Sequence, residues 1–413
     1  MKELALLFPG QGSQFVGMGK ELCRDYPIAE ETFQEANQVL GFDLQQLCFS
    51  GDLDELTRTE NAQPAILTAS IAAFRVYMDE IGLAPHFTAG HSLGEYSALV
   101  AAGALKFEDA LKIVRKRGQY MQEAVPVGLG TMMAVMKLDY PLIEEVCQEV
   151  SNSEEMVVPA NINSKQQIVI SGHTEAVKRA GQQLEEEGGY VKMLNVSAPF
   201  HSPLMQPAAD KMAKELEKYT LNQMKWPVIS NVTALPYQTT DKLRKKLTQQ
   251  IVEPVRWYES MTYLNKMNVN TAVEMGPKTV LKSLMRKSYP DIKVVKFDNK
   301  EDLESIRDEM PKMDLNKVIS KSLAVLVCTQ NHNPDQNQYQ EGVVKPYKQI
   351  ESLRDKIETE DREATVEEAK EALQLLKTAL ENKLVPKEEL QARFQEIIAL
   401  SGTANIFEEY KAV

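Results

Sequence analysis

The chain has 413 residues, 43% of them hydrophobic and 26% charged, with a formal net charge of −12. Length and composition are those of an ordinary globular protein with a sizeable core and two or three domains, and the negative balance excludes general nucleic-acid binding, which needs a basic face. Four cysteines (Cys23, Cys48, Cys147, Cys328) stand far apart with no C-x-x-C pair, which excludes a disulfide framework or a zinc site and suits a reducing cytoplasm.

The opening "MKELALLFPG" has too short an apolar run before Pro9 for a signal peptide. Its "ELALLF" reads as a first buried strand, stopped by "PGQGSQ", with helical patterning resuming after Met18. A helix is expected from Ala62 to Ile81, with Ile66, Ala69, Ala73 and Tyr77 on one face. A strand ending at Ala89, a sharp turn and a helix through Tyr96 and Leu99 come next, then the helix "FEDALKIVRKRGQYMQEA". Strands alternating with helices imply a parallel sheet covered on both faces.

From Pro126 the texture changes. "GTMMAVMKL", "VVPANINSKQQIVISG" and "YVKMLNVS" read as strands, with helices at "YPLIEEVCQEV" and "TEAVKRAGQQLEEE". This β-α-β-β-α-β rhythm marks a small ferredoxin-like (split βαβ) subdomain at 126–196, inserted into a larger α/β core at 1–125 and 197–310. The core resumes through "WPVISNV", "NVNTAVEMG" and "IKVVKF". Residues 311–413 form a mostly helical, mildly acidic extension. It runs from "NKVISKSLAVLVCTQ" through an Asn/Gln-rich loop, "NHNPDQNQYQEG", into charged helices. Thr365 and Glu368 have capping-box spacing, and Pro386 suits the first turn of a last helix. "SLAVLVC" is far too short to span a membrane, so the expectation is a cytoplasmic protein with no membrane partner.

Ser92 stands between Gly90 and Gly94 at the strand-to-helix turn. A G-x-S-x-G turn of this kind is the signature of a nucleophile elbow, which thrusts the hydroxyl into the open. It is equally the pattern of a glycine-rich turn without catalytic role. A serine hydroxyl needs a base, and the chain has five histidines. His91, next to the serine, points the wrong way from an elbow; His201, in the proline-bracketed "SAPFHSPLM", is the leading choice. "PGQGSQFVGMG" fits no phosphate-binding spacing, but it offers main-chain N–H groups after the first strand. With the N–H of Leu93 these form a candidate oxyanion hole. The cluster Arg115, Lys116, Arg117 is either a solvated face or a two-pronged clamp for an acyl group ending in a carboxylate.

Taken together, "LLFPGQGSQFVGMG", "AGHSLGEYSALVAAGAL", "VRKRGQYMQEA", "NINSKQQIVISG", "SAPFHSPLM", "ISNVTA" and "QQIVEPVRW…VEMGPKTVL" resemble malonyl-CoA:acyl carrier protein transacylases in order and spacing, over roughly residues 1–300. The resemblance implies an α/β-hydrolase-like large subdomain. It implies Ser92 as nucleophile, His201 as base oriented by a main-chain carbonyl near Gln250, and main-chain N–H groups of Gln11 and Leu93 as the oxyanion hole. Arg117 would bind the malonyl carboxylate, and the Gln11 and Gln250 side chains would line the pocket. Leu93 and Phe200 resemble malonyl-selective members, the phenyl ring leaving little room for a branched α-carbon.

The implied reaction is a ping-pong transfer from malonyl-CoA to the phosphopantetheine thiol of holo-acyl carrier protein, with no metal or redox cofactor. Lys282, Arg286, Lys287, Arg115 and Lys116 are candidates for docking the acidic carrier. The extension resembles that of stand-alone acyltransferases encoded with bacterial polyketide or lipopeptide synthases, which serve a synthase in trans. A housekeeping fatty-acid transacylase, a thioester hydrolase using the same dyad, and a scaffold whose helical tail is the functional part are the competing readings.

Overall fold

A computed structural model describes residues 3–196, 198–309, 314–403, 406, 407 and 410. The chain divides into two compact units, one of residues 2–79 and 85–309, the other of residues 80–84 and those from 310 onward.

In the first unit the run Leu4–Phe8 is wholly buried, which suits the middle of a parallel sheet covered on both faces. It forms β1 (Glu3–Phe8), flanked by β2 (Phe87–Gly90) and β8 (Val269–Met275). β7 (Val228–Ile229) and β9 (Lys293–Phe297) complete a five-stranded sheet of order β7-β2-β1-β8-β9. Every pairing in it is parallel. In such a sheet, ligands bind outside the carboxyl ends of the strands, and the turn after β2 lies there. "WPVISNV" yields only two strand residues, because Ser230 starts a tight turn in which its N–H bonds the Leu235 carbonyl and Ala234 takes a φ of 55°. That turn carries Asn231 to the elbow.

The second sheet of this unit consists of β3 (Gly130–Met136), β4 (Val157–Ser164), β5 (Gln167–His173) and β6 (Tyr190–Met193). Its order, β4-β5-β3-β6, and its antiparallel pairings are those of a ferredoxin-like subdomain. Alternate residues Met133, Val135, Ile168 and Ile170 face the helices Tyr140–Val150 and Thr174–Glu186, whose Ile143, Val146, Val177 and Leu184 close a separate core.

The extension has a core of its own, with Val318, Leu326, Ile350, Leu373, Leu376, Leu380, Phe394 and Ile397 buried among its helices. These are Leu315–Cys328, Lys345–Thr359, Val366–Asn382 and Lys387–Ser401. Thr365 and Glu368 make both bonds of the capping box. The Asn/Gln-rich stretch is a loop only at its start. The Asp335 carboxylate accepts from the Gln338 N–H, and helical residues begin at Gln336, passing through a π-turn into the helix from Lys345. Among the described residues no helix is long and apolar enough to cross a membrane.

Candidate active site

β2 ends at Gly90 and the next helix starts at Leu93, so the chain reverses within two residues. Ser92 takes φ 51° and ψ −103°, a strained conformation held by its surroundings. A Cβ on Gly90 would lie 1.9 Å from the Gly94 main chain, and one on Gly94 would lie 2.0 Å from the Phe8 carbonyl oxygen. Only glycine allows that approach. The Asn231 side chain clamps the turn: Oδ1 accepts from the Ser92 N–H at 2.7 Å, and Nδ2 donates to the Gly90 carbonyl at 2.7 Å.

His201 sits on its own strained turn, φ 59°, with Nε2 2.8 Å from Ser92 Oγ and Nδ1 2.7 Å from the Gln250 carbonyl oxygen. A carbonyl only accepts, so Nδ1 carries the proton and bare Nε2 accepts from the Ser92 hydroxyl. Burial, and then the charge of Arg117, push the imidazole down to about 3. It is therefore neutral at neutral pH and able to take a proton. His91 points elsewhere, its Nε2 2.8 Å from Asn163 Oδ1 and its ring against Trp257.

Arg117 lies on the helix Phe107–Glu123, one residue before Gly118. A Cβ on Gly118 would sit 2.7 Å from the Thr59 carbonyl oxygen, so glycine lets this helix close on Thr59–Glu80. Arg117 is only 1% exposed, yet among the described residues every hydrogen-bond partner of its guanidinium is neutral. Nη1 donates to Gln63 Oε1 at 2.9 Å; Nη2 donates to Ser92 Oγ and to Gln250 Oε1, both at 3.0 Å. Nε has no partner among the described residues, and the group lies over the Tyr96 ring. Burial lowers its pKa, opposed by Tyr96 and Glu95.

Ser92, His201, Arg117, Gln11, Met121 and Phe200 line one cavity of about 550 Å³. Gln11, on the loop after β1, donates through Nε2 to Thr59 Oγ1. Leu93 is fully buried, and as the first helical residue its N–H has no partner within the helix. Gln250 does not line the pocket as expected from the resemblance. It is completely buried behind the wall, held by bonds to Ser92, Glu95 and Arg117. None of Lys282, Arg286, Lys287, Arg115 and Lys116 lines the cavity; Arg115 lies over the Phe42 ring, and Lys116 donates to Gln119. Sequence reasoning missed Glu95, Asn231, Gln63 and Tyr237. Glu95 was the legible one, a carboxylate in the first turn of an otherwise apolar helix.

The parallel α/β core, the Ser92–His201 pair on its elbow and the inserted antiparallel sheet are the architecture of a serine-dependent acyl-group enzyme, transferase or hydrolase. The model for the acyl transferase domain matches residues 5–314, and the chain belongs to that family. A relative from Bacillus subtilis, "Malonyl CoA-acyl carrier protein transacylase", is 42% identical over 395 residues, covering 94% of this chain and 98% of that protein. The malonyl CoA-acyl carrier protein transacylase (fabD) structure from Coxiella burnetii superposes with TM-score 0.73 at 44% identity, covering 74% of this chain and 96% of its own. A malonyl-transacylase solved with its type II PKS acyl-carrier protein gives TM-score 0.73 at 41% identity, covering 75% of this chain and all of its own, 100%.

Proposed function

We propose that this enzyme transfers the malonyl group of malonyl-CoA to the phosphopantetheine thiol of holo-acyl carrier protein, through a malonyl ester on Ser92. The observation that carries the substrate is Arg117: a buried cation with no carboxylate partner among the described residues, 3.0 Å from Ser92 Oγ. Ser92 Oγ attacks the thioester carbon while its proton passes to His201 Nε2. The N–H groups of Leu93 and Gln11 take the oxyanion. The C–S bond breaks and CoA leaves with the proton from His201. The carrier thiol then gives its proton to His201 and attacks the ester, and Ser92 regains a proton as it departs. Arg117 holds the distal carboxylate in both halves.

The domain limits we assign are 1–125 and 197–310 for the core, 126–196 for the inserted sheet and 311–413 for the extension. Service to a polyketide or lipopeptide synthase in trans, in the cytoplasm, is the reading for the whole chain. The polyketide part is supported by the transacylase solved with a type II PKS acyl-carrier protein; the extension itself is shared with the relative that matches across 94% of the chain. Malonyl-CoA mixed with enzyme and either holo- or apo-carrier protein tests the function. Malonyl transfer to the holo form alone is expected. Free malonate released at the same rate with either form would instead make the enzyme a hydrolase.

A further inference from the structure

Glu95 lies three residues past Ser92 and is fully buried. Its Oε1 accepts from the Tyr237 hydroxyl; its Oε2 accepts from Gln250 Nε2 at 2.6 Å and from the Asn231 N–H at 3.2 Å. Two of these partners reach the reacting groups. Gln250 Nε2 also donates to the Ser92 carbonyl at 2.8 Å, its Oε1 accepts from Arg117, and its main-chain oxygen accepts from His201 Nδ1. Asn231 Oδ1 accepts from the Ser92 N–H. Ser92, His201 and Arg117 are thus each one residue removed from a carboxylate that hydrogen-bonds none of them.

We propose that Glu95 is a positioning residue and the buried counter-charge of Arg117, and that it sets the preference for an acyl group ending in a carboxylate. The inference rests on the malonyl reading above. A carboxylate can only accept, so it fixes the Gln250 amide with nitrogen toward Glu95 and oxygen toward the guanidinium. A flipped amide would aim N–H groups at a cation. A carboxylate paired directly with Arg117 would compete with the substrate; relayed through an amide, its charge offsets the buried cation and leaves guanidinium N–H groups for the ligand.

Burial raises Glu95 to about 7, against the lowering by Tyr237, Gln250, Asn231 and Arg117. Tyr237, Tyr96 and Arg117 are the titratable or charged groups around it, with His201 beyond Gln250. Protonation at lower pH releases the amide, so malonyl transfer falls on the acid side of neutrality.

The test compares malonyl-CoA with acetyl-CoA, which has the same thioester and no carboxylate, on wild type, E95Q and Y237F across pH. In E95Q the malonyl-to-acetyl ratio of kcat/KM should fall about tenfold or more, and the acid limb of the malonyl profile should vanish. Y237F removes a donor to the ionised form, so its limb should move to higher pH. Equal losses on both thioesters, or an unchanged limb in E95Q, would overturn the proposal. If E95Q fails to fold by circular dichroism, an unshifted limb in folded Y237F overturns it as well. A wild type that takes the two thioesters equally would overturn the malonyl reading itself.

Discussion

Replacing Arg117 with alanine removes the cation that hydrogen-bonds Ser92 Oγ in the cavity, and the geometry sets the size of the effect. The guanidinium reaches Ser92 Oγ and Gln250 Oε1 through Nη2 at 3.0 Å and Gln63 Oε1 through Nη1 at 2.9 Å. A substrate carboxylate that takes over the Nη2 bond now made to Ser92 Oγ and a second N–H of Nη1 would be met by two charge-assisted hydrogen bonds, each contributing about 1.5–3 kcal/mol. Losing both costs about 3–6 kcal/mol, or roughly 10²–10⁴-fold in kcat/KM for malonyl-CoA. Acetyl-CoA cannot use the clamp, so its kcat/KM should change by less than about tenfold. The truncation also strips a partner from Gln63 and Gln250, at about 1–3 kcal/mol of stability for each orphaned buried acceptor. A thermal melt must accompany the kinetics for that reason. Steady-state rates of CoA release with both thioesters are the assay. Parallel losses on the two substrates would refute the assignment, since a purely structural arginine does not distinguish them.

Phe200 is nearly buried on the cavity wall; F200S should raise the methylmalonyl-to-malonyl ratio of kcat/KM about tenfold or more, within the roughly 1–3 kcal/mol that one methylene-sized difference is worth, as read by competition between the two thioesters. Gly94→Ala places a methyl 2.0 Å from the Phe8 carbonyl oxygen, so the elbow should not close, and both soluble yield and Ser92 acylation should drop sharply, measured by expression and labelling. His201 takes its proton near 3 in the folded chain, whereas an unfolded histidine takes it near about 6.5. The unfolded state thus binds more protons between those values, so this group's contribution to stability falls as pH drops through the window. Urea denaturation of wild type and H201Q at several pH values from about 4 to 7 should show the flatter dependence in the variant.

How far the sequence reached depends on the kind of signal each residue leaves. The two sheets were legible because buried strands carry long apolar runs and the inserted subdomain alternates strand and helix in a fixed rhythm. Ser92 was legible because the close approaches of Gly90 and Gly94 demand glycine and leave a pattern. The pairing of Ser92 with His201 spans 109 residues, and the His201–Gln250 bond spans 49; no local pattern encodes either. They came from family resemblance and acquire a geometry only in three dimensions. Glu95 and Asn231 were quoted within motifs, yet their work is done by hydrogen bonds across 136 residues and more. The helical turn at Gln336 was missed because an Asn/Gln-rich stretch reads as a loop until the Asp335 cap is seen to open it.

The most direct measurement is intact-protein mass after brief exposure to malonyl-CoA, then again after holo-acyl carrier protein is added, for wild type and S92A. The expected result is one malonyl adduct on the wild type, absent from S92A, that disappears as the carrier gains the same mass. An adduct that persists in S92A, or a wild type that never carries one while malonyl still reaches the carrier, would contradict a transfer through Ser92.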